Sequence, residues 1–184
     1  MTACLFIGGA RSGKSRYAEQ QALALLEQRL SEGAAARLHY VATAIAFDRE
    51  MQQRIELHQQ RRGPEWCNHE SPVLLAQTLA QFQAQDVVLV DCLTLWLNNV
   101  IYNEGETATV AMIEQQVQAL VDVLKDSPAT ILCVSNEVGL GIVPMGEVSR
   151  LYVDHAGWMN QAIAAVAEQV TFMAAGLPMQ LKGR

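Results

Sequence analysis

The chain has little of what would place it outside ordinary globular proteins. It has four cysteines, Cys4, Cys67, Cys92 and Cys133, and no C-x-x-C pair among them. Three sit in apolar or strand-like runs, where buried free thiols are expected. Cys67 and His69 are spaced like half of a metal site, but no second pair completes it, so no zinc site is expected. Positive charge is in deficit: 13 Lys and Arg stand against 19 Asp and Glu, a formal net charge of −6. That excludes a general nucleic-acid binder, although local arginine clusters can still hold phosphates. Charged residues make up only 17% and hydrophobic residues 51%, so the chain is globular rather than disordered. No apolar run is long enough to span a bilayer and no signal-peptide pattern is visible; a cytoplasmic enzyme without membrane insertion is expected. Internal repeats, low-complexity tracts and linkers are also missing. Residues 1–184 are therefore expected to form a single domain with a substantial core.

Against this background one stretch stands out. Gly8-Gly9-Ala10-Arg11-Ser12-Gly13-Lys14-Ser15 fits G-x-x-x-x-G-K-[ST], the phosphate-binding loop. Cys4–Ile7 before it is a short apolar run, as a buried strand requires. Arg16–Leu26 after it is rich in helix formers. The glycines let bare N–H groups approach an anion, and the start of the helix adds its dipole and unpaired donors. In such a loop Lys14 reaches the β- and γ-phosphates and the Ser15 hydroxyl binds Mg²⁺. The competing reading, a plain glycine turn before a helix, leaves the Lys and Ser unexplained.

The pattern continues as alternating strands and helices. Ser31–Ala36 reads as a surface connection, and Leu38–Thr43 as the second strand with His39 as a structural residue. The strand's end, Ala42-Thr43-Ala44, falls at the sheet edge where ligands bind. Asp48 to Arg62 reads as a helix with Asp48 as N-cap and Gly63-Pro64 as stop. Arg54, His58 and Arg62 are spaced to share one face, with Arg61 nearby. Arginine neighbours favour a neutral, nucleophilic imidazole and would hold a triphosphate; on spacing alone, a solvated basic face competes with this. Trp66–Glu70 is a short extended piece, and Glu70 either contacts a ligand or caps a helix Val73–Phe82 starting near Ser71-Pro72; capping is the preferred reading.

Asp86–Asp91 is an apolar, β-branched run ending in a carboxylate, the pattern that delivers Asp91 to Mg²⁺. Cys92–Asn99 reads as a helix whose leucines and Trp96 serve the core or a subunit contact. Asn103–Glu106 is a loop, and a long helix opens near Thr107 and runs to about Lys125. Ala129–Ser135 is a buried strand feeding Asn136–Pro144, a glycine-containing loop that faces a ligand or subunit or is a plain surface turn. Arg150–Gln169 is the last long helix, with His155 packed or solvated, and Val170–Gly176 the closing strand, with Met179–Leu181 as an edge. The expected fold class is α/β: a mostly parallel sheet flanked by helices, with P-loop NTPase (RecA-like) architecture.

Four parts, Gly8–Ser15, Arg54–His58, Val90–Thr94 and Ser135–Pro144, together resemble the bifunctional adenosylcobinamide kinase/adenosylcobinamide-phosphate guanylyltransferase family over essentially the whole chain. The resemblance implies two reactions. A nucleoside triphosphate, ATP or GTP, phosphorylates the aminopropanol hydroxyl of adenosylcobinamide. GTP then transfers GMP to that phosphate through a guanylylated histidine, which maps onto His58. It further implies nucleotide contacts at Gly8, Gly9, Ala10, Arg11, Ser12, Gly13, Lys14, Ser15, Ala42, Thr43, Ala44, Gln59, Gln60, Arg61, Arg62, Glu70 and Asp91. Mg²⁺ would lie on Ser15 and Asp91, and the assembly would be a homotrimer that the apolar Leu93–Leu97 segment could support. Some relatives carry His at the position of Leu57 and Glu at the position of Asp91; here only His58 is available, and either carboxylate suits Mg²⁺. Two alternatives compete: a P-loop small-molecule kinase without transferase activity, and a GTP-binding switch. The switch would want Asn-Lys-x-Asp, whereas Ser135-Asn136-Glu137-Val138 lacks the Lys and Asp; Asp154-His155-Ala156-Gly157 matches D-x-x-G by chance.

Overall fold

A computed structural model describes residues 3–45, 63–103 and 106–183. The helix expected over 48–62, with Arg54, His58 and Gln59 to Arg62, lies outside the described residues. Seven strands form one sheet: β1 (Ala3–Gly8), β2 (Arg37–Ala42), β3 (Trp66–Glu70), β4 (Asp86–Asp91), β7 (Thr130–Asn136), β8 (Gln169–Ala174) and β9 (Leu177–Lys182). Their order is β3-β2-β4-β7-β1-β8-β9, and every pairing is parallel except β8 with β9. This is the expected α/β class. The strands between the edges are buried on both faces, which is why they read as nearly unbroken apolar runs. Val87, Val88, Leu89 and Val90 are all at 0% exposure.

Period-two alternation divides the core. Leu5, Ile7, Val41, Val88, Val90, Ile131 and Cys133 pack on the face covered by α3 (Leu93–Ile101), α4 (Val110–Asp126) and α5 (Glu147–Val166). Cys4, Phe6, Leu38, Tyr40, Val87, Leu89, Leu132 and Val134 pack on the other, against α1 (Lys14–Ser31). The alanines Ala18 and Ala22 of α1 are fully buried, and their small side chains let the helix lie close to the sheet. The last long helix begins three residues earlier than expected, at Glu147, and Ala167 ends it. Thr109 caps α4, its hydroxyl accepting from the Met112 amide at 3.3 Å.

Two expectations are corrected. The helix expected over 73–82 is only α2 (Leu75–Leu79), and it starts after Leu74 with no side-chain cap; Glu70 ends β3 instead of capping. The loop near 103–106 is flanked by β5 (Tyr102–Asn103) and β6 (Glu106–Thr107), which pair antiparallel. Of the two roles open to the Leu93–Leu97 segment, Leu93, Trp96 and Leu97, at 0% exposure, serve the core, and Leu95 is half-buried.

Candidate nucleotide site

The carboxyl ends of the central strands meet at one edge of the sheet, where open α/β folds bind ligands. The site starts at Gly8, the last residue of β1. A Cβ there would lie 2.5 Å from the Met173 carbonyl and 2.8 Å from Ser12 Oγ, so only glycine lets β8 and the loop close around it. The chain then turns through Gly9 to Gly13. Arg11 and Gly13 both have positive φ, 56° and 95°. Gly13 precedes α1 and its carbonyl accepts from the Tyr17 amide at 3.0 Å. The loop is pinned from the side as well, because the Gly176 amide donates to the Ser12 carbonyl at 2.9 Å. Gly9, Ala10 and Arg11 are exposed, Ser12, Gly13 and Ser15 half-buried.

Lys14 is the charged group of the cradle. It is 7% exposed, and its Nζ donates to the Gly9 carbonyl at 3.0 Å, across the loop. Burial holds its pKa below the usual lysine value of 10.5, while Cys92 and Asp91 pull the other way. Asp91 ends β4 on the same face as α1, since it alternates with Val87 and Leu89. Its Oδ2 accepts from the Tyr40 hydroxyl at 3.2 Å, while Oδ1 accepts no hydrogen bond among the described residues. A half-buried serine hydroxyl and a carboxylate with one free oxygen suit a hard cation such as Mg²⁺, which takes few protein ligands and completes its shell with phosphates and water. No group of three or more His, Cys, Asp or Glu that could cage a metal occurs among the described residues.

The residues around Asp91 form a brace. The Asp91–Cys92 peptide is cis. The Thr43 hydroxyl donates to the Cys92 carbonyl at 2.7 Å and accepts from the Cys92 amide at 2.9 Å. Asn99 Nδ2 then donates to the Thr43 and Pro72 carbonyls, at 2.8 and 3.0 Å. Thr43 itself is fully buried, with its hydroxyl committed to holding Cys92. Ala42 and Ala44 are half-buried beside it, and Glu70 is exposed at the end of β3, paired in register with Ala42. Burial raises the Cys92 thiol to about 11, with Asp91 adding to the shift, so it stays protonated and is no nucleophile.

Sequence reasoning put Asn136 at the start of a loop facing a ligand or subunit and Thr94 in a family-like stretch, but named neither of them, nor Tyr40, as a site residue; all three touch this frame. Asn136 Nδ2 donates to Thr94 Oγ1 at 2.7 Å. The only available signal was alternation, which puts Tyr40 and Asn136 on the α1 face with Asp91. A second polar cluster lies towards the amino ends of β2 and β4. Arg37 Nε is 3.0 Å from Asp86 Oδ1, His39 Nε2 is 3.3 Å from the same oxygen, and His39 Nδ1 lies 3.0 Å from His69 Nε2. It belongs to the opposite face and supports the sheet rather than the cradle.

A family model described as cobinamide kinase / cobinamide phosphate guanyltransferase matches residues 4–181. The chain is 47% identical to the bifunctional adenosylcobalamin biosynthesis protein CobP of Pseudomonas aeruginosa, over 97% of this chain and 96% of the relative. It is 35% identical to the protein of the same description, CobU, from Escherichia coli, over 97% and 98%. To CobU of Salmonella typhimurium it is 34% identical, again over 97% and 98%.

Proposed function

Because the chain belongs to the cobinamide kinase / cobinamide phosphate guanyltransferase family, we propose a division of labour in which the Gly8–Ser15 cradle serves the phosphoryl chemistry and His58 the guanylyl transfer. The enzyme phosphorylates cobinamide and joins GMP to the product, giving cobinamide-GDP for adenosylcobalamin synthesis. In the first reaction the substrate hydroxyl oxygen bonds to the γ-phosphorus. The bond to the β–γ bridging oxygen breaks, and the nucleoside diphosphate leaves with that electron pair. The backbone N–H groups of the loop and Lys14 neutralise charge that builds on the phosphoryl oxygens. When bound on Ser15 and Asp91, Mg²⁺ would supply Lewis-acid polarisation of the phosphates. The observation that carries this assignment is the convergence of Lys14, the loop and Asp91 on one face and one edge of the sheet.

In the second reaction a neutral ring nitrogen of His58 attacks the α-phosphorus of GTP, forming a P–N bond as pyrophosphate leaves. The phosphate of the corrinoid then displaces the histidine and takes the GMP. Arg61 and Arg62, with Gln59 and Gln60, are assigned to the triphosphate on the strength of their spacing and of family membership; Ala42, Ala44 and Glu70 complete the nucleotide contacts. Incubation with α-labelled GTP tests this reading. A protein-bound label that is acid-labile, is chased by cobinamide phosphate and is absent from His58→Ala is expected. A kinase without transferase activity, or a switch protein, would carry no label.

Assembly as a homotrimer and a cytoplasmic location belong to the same proposal. Leu140, Ile142, Val143, Met145 and Trp158 stand 82%, 97%, 73%, 97% and 55% exposed around a groove of about 440 Å³ between the 138–144 loop and α5, which favours cover by a second copy. Free cysteines and the lack of any membrane-spanning helix among the described residues fit a reducing, aqueous compartment.

A further inference from the structure

Asn136 is the last residue of β7, the strand between the cradle strand β1 and the Asp91 strand β4. It pairs in register with Gly8, and Asp91 pairs with Val134 two residues earlier. Neighbouring strands lie about 4.8 Å apart, so Asn136 stands one strand spacing from Gly8, and one strand over and two residues further along from Asp91. Leu132 and Val134 pack on the α1 face, so alternation puts Asn136 there too, across from Gly8 and on the same face as Asp91.

The side chain is held by Thr94, and the backbone on either side of it is fixed as well. Its Nδ2 donates to Thr94 Oγ1 at 2.7 Å, and its backbone carbonyl accepts from Asn160 Nδ2 at 3.2 Å. Asn160 is itself fixed by the Ser135 hydroxyl at 2.6 Å, and the Glu137 amide donates to the Gly8 carbonyl at 3.0 Å. An amide has two N–H donors. Among the described residues the second one on Asn136 meets only the Cys92 sulfur, at 3.9 Å, and sulfur is a weak acceptor. A rigid, half-buried donor is therefore kept almost unused at the centre of the phosphate edge.

We propose that Asn136 donates this second N–H to an oxygen of the phosphoryl group in transfer, a contact between Lys14 and Asp91 that strengthens as charge builds there. Thr94 is the positioning residue that aims the amide. A preorganised neutral donor of this kind is typically worth about 10²–10³ in kcat when removed. The inference rests on the kinase reading of the cradle.

The test compares Asn136→Ala, Asn136→Asp and Thr94→Val with the wild type. Phosphorylation of cobinamide by Mg·ATP is followed at steady state, and binding of a non-hydrolysable ATP analogue by titration calorimetry. Asn136→Ala should lose about 10²-fold in kcat while the analogue's Kd moves by less than about threefold. Asn136→Asp keeps the size and can still accept from Thr94, but places a negative charge against the phosphates, so it should be slower than Ala. A purely structural Asn136 predicts the reverse order, because Asp better preserves the frame. Thr94→Val should fall between wild type and Ala. Asn136→Asp at or above Asn136→Ala, or Ala within threefold of wild-type kcat, would overturn the proposal. A wild-type protein that phosphorylates no corrinoid refutes the kinase reading and this inference with it; normal wild-type turnover with an unimpaired Ala variant refutes the inference alone.

Discussion

At the scale of single residues, close approach and burial decide what each side chain can do. Gly8→Ala puts a Cβ 2.5 Å from the Met173 carbonyl, a backbone atom that cannot swing away. Titration with a non-hydrolysable ATP analogue should show binding weakened at least tenfold, with a lower melting temperature. Asp86 is a different case. Burial alone would raise its pKa, but the Gln83 amide, at 2.7 Å, and the His39 and Arg37 groups outweigh burial and leave it below 3.8. A depressed carboxylate stabilises the fold above its unfolded pKa and loses that contribution as pH falls through the folded value. Asp86→Asn should therefore cost about 1–3 kcal/mol at neutral pH, and urea titrations should show the gap to wild type closing below about pH 3.8. The glycine loop was legible because its geometry is local. Thr43 was not, since the atoms that claim its hydroxyl are 49 residues away in the chain. The His39, His69 and Asp86 contacts were hidden for the same reason.

At the scale of elements, periodicity carried most of the fold. The strands showed as apolar β-branched runs, and α1, α3, α4 and α5 as amphipathic or apolar helices. What escaped was short or one-sided. The α2 helix has five residues, too few for a periodic signal. The edge expected at Met179–Leu181 is β9, but its bounds, Leu177–Lys182, were not legible, because all six residues are exposed and mix polar and apolar side chains without a core rule. In α3 an apolar surface suited either the interior or a neighbour, and only the contacts decide. Leu97 is completely buried there. Leu97→Ala should lower unfolding free energy by about 2–5 kcal/mol in denaturant titrations, without changing oligomeric state. If the segment were an interface, dilution would instead split the assembly.

At the scale of the whole molecule, the 138–145 loop beside its groove on α5 carries the most exposed large apolar side chains among the described residues. Ile142→Asp should leave a folded protein that sediments as a smaller species than the wild type. His58 belongs to the part of the chain whose assignment rests on motif and family rather than on geometry, so the two reactions have to be separated chemically. The most direct measurement is mass spectrometry of the corrinoid products made from cobinamide, Mg·ATP and GTP. The wild type should yield cobinamide-GDP, Lys14→Ala should leave cobinamide unreacted, and His58→Ala should stop at cobinamide phosphate. Cobinamide-GDP formed at the wild-type rate by either variant would contradict the account.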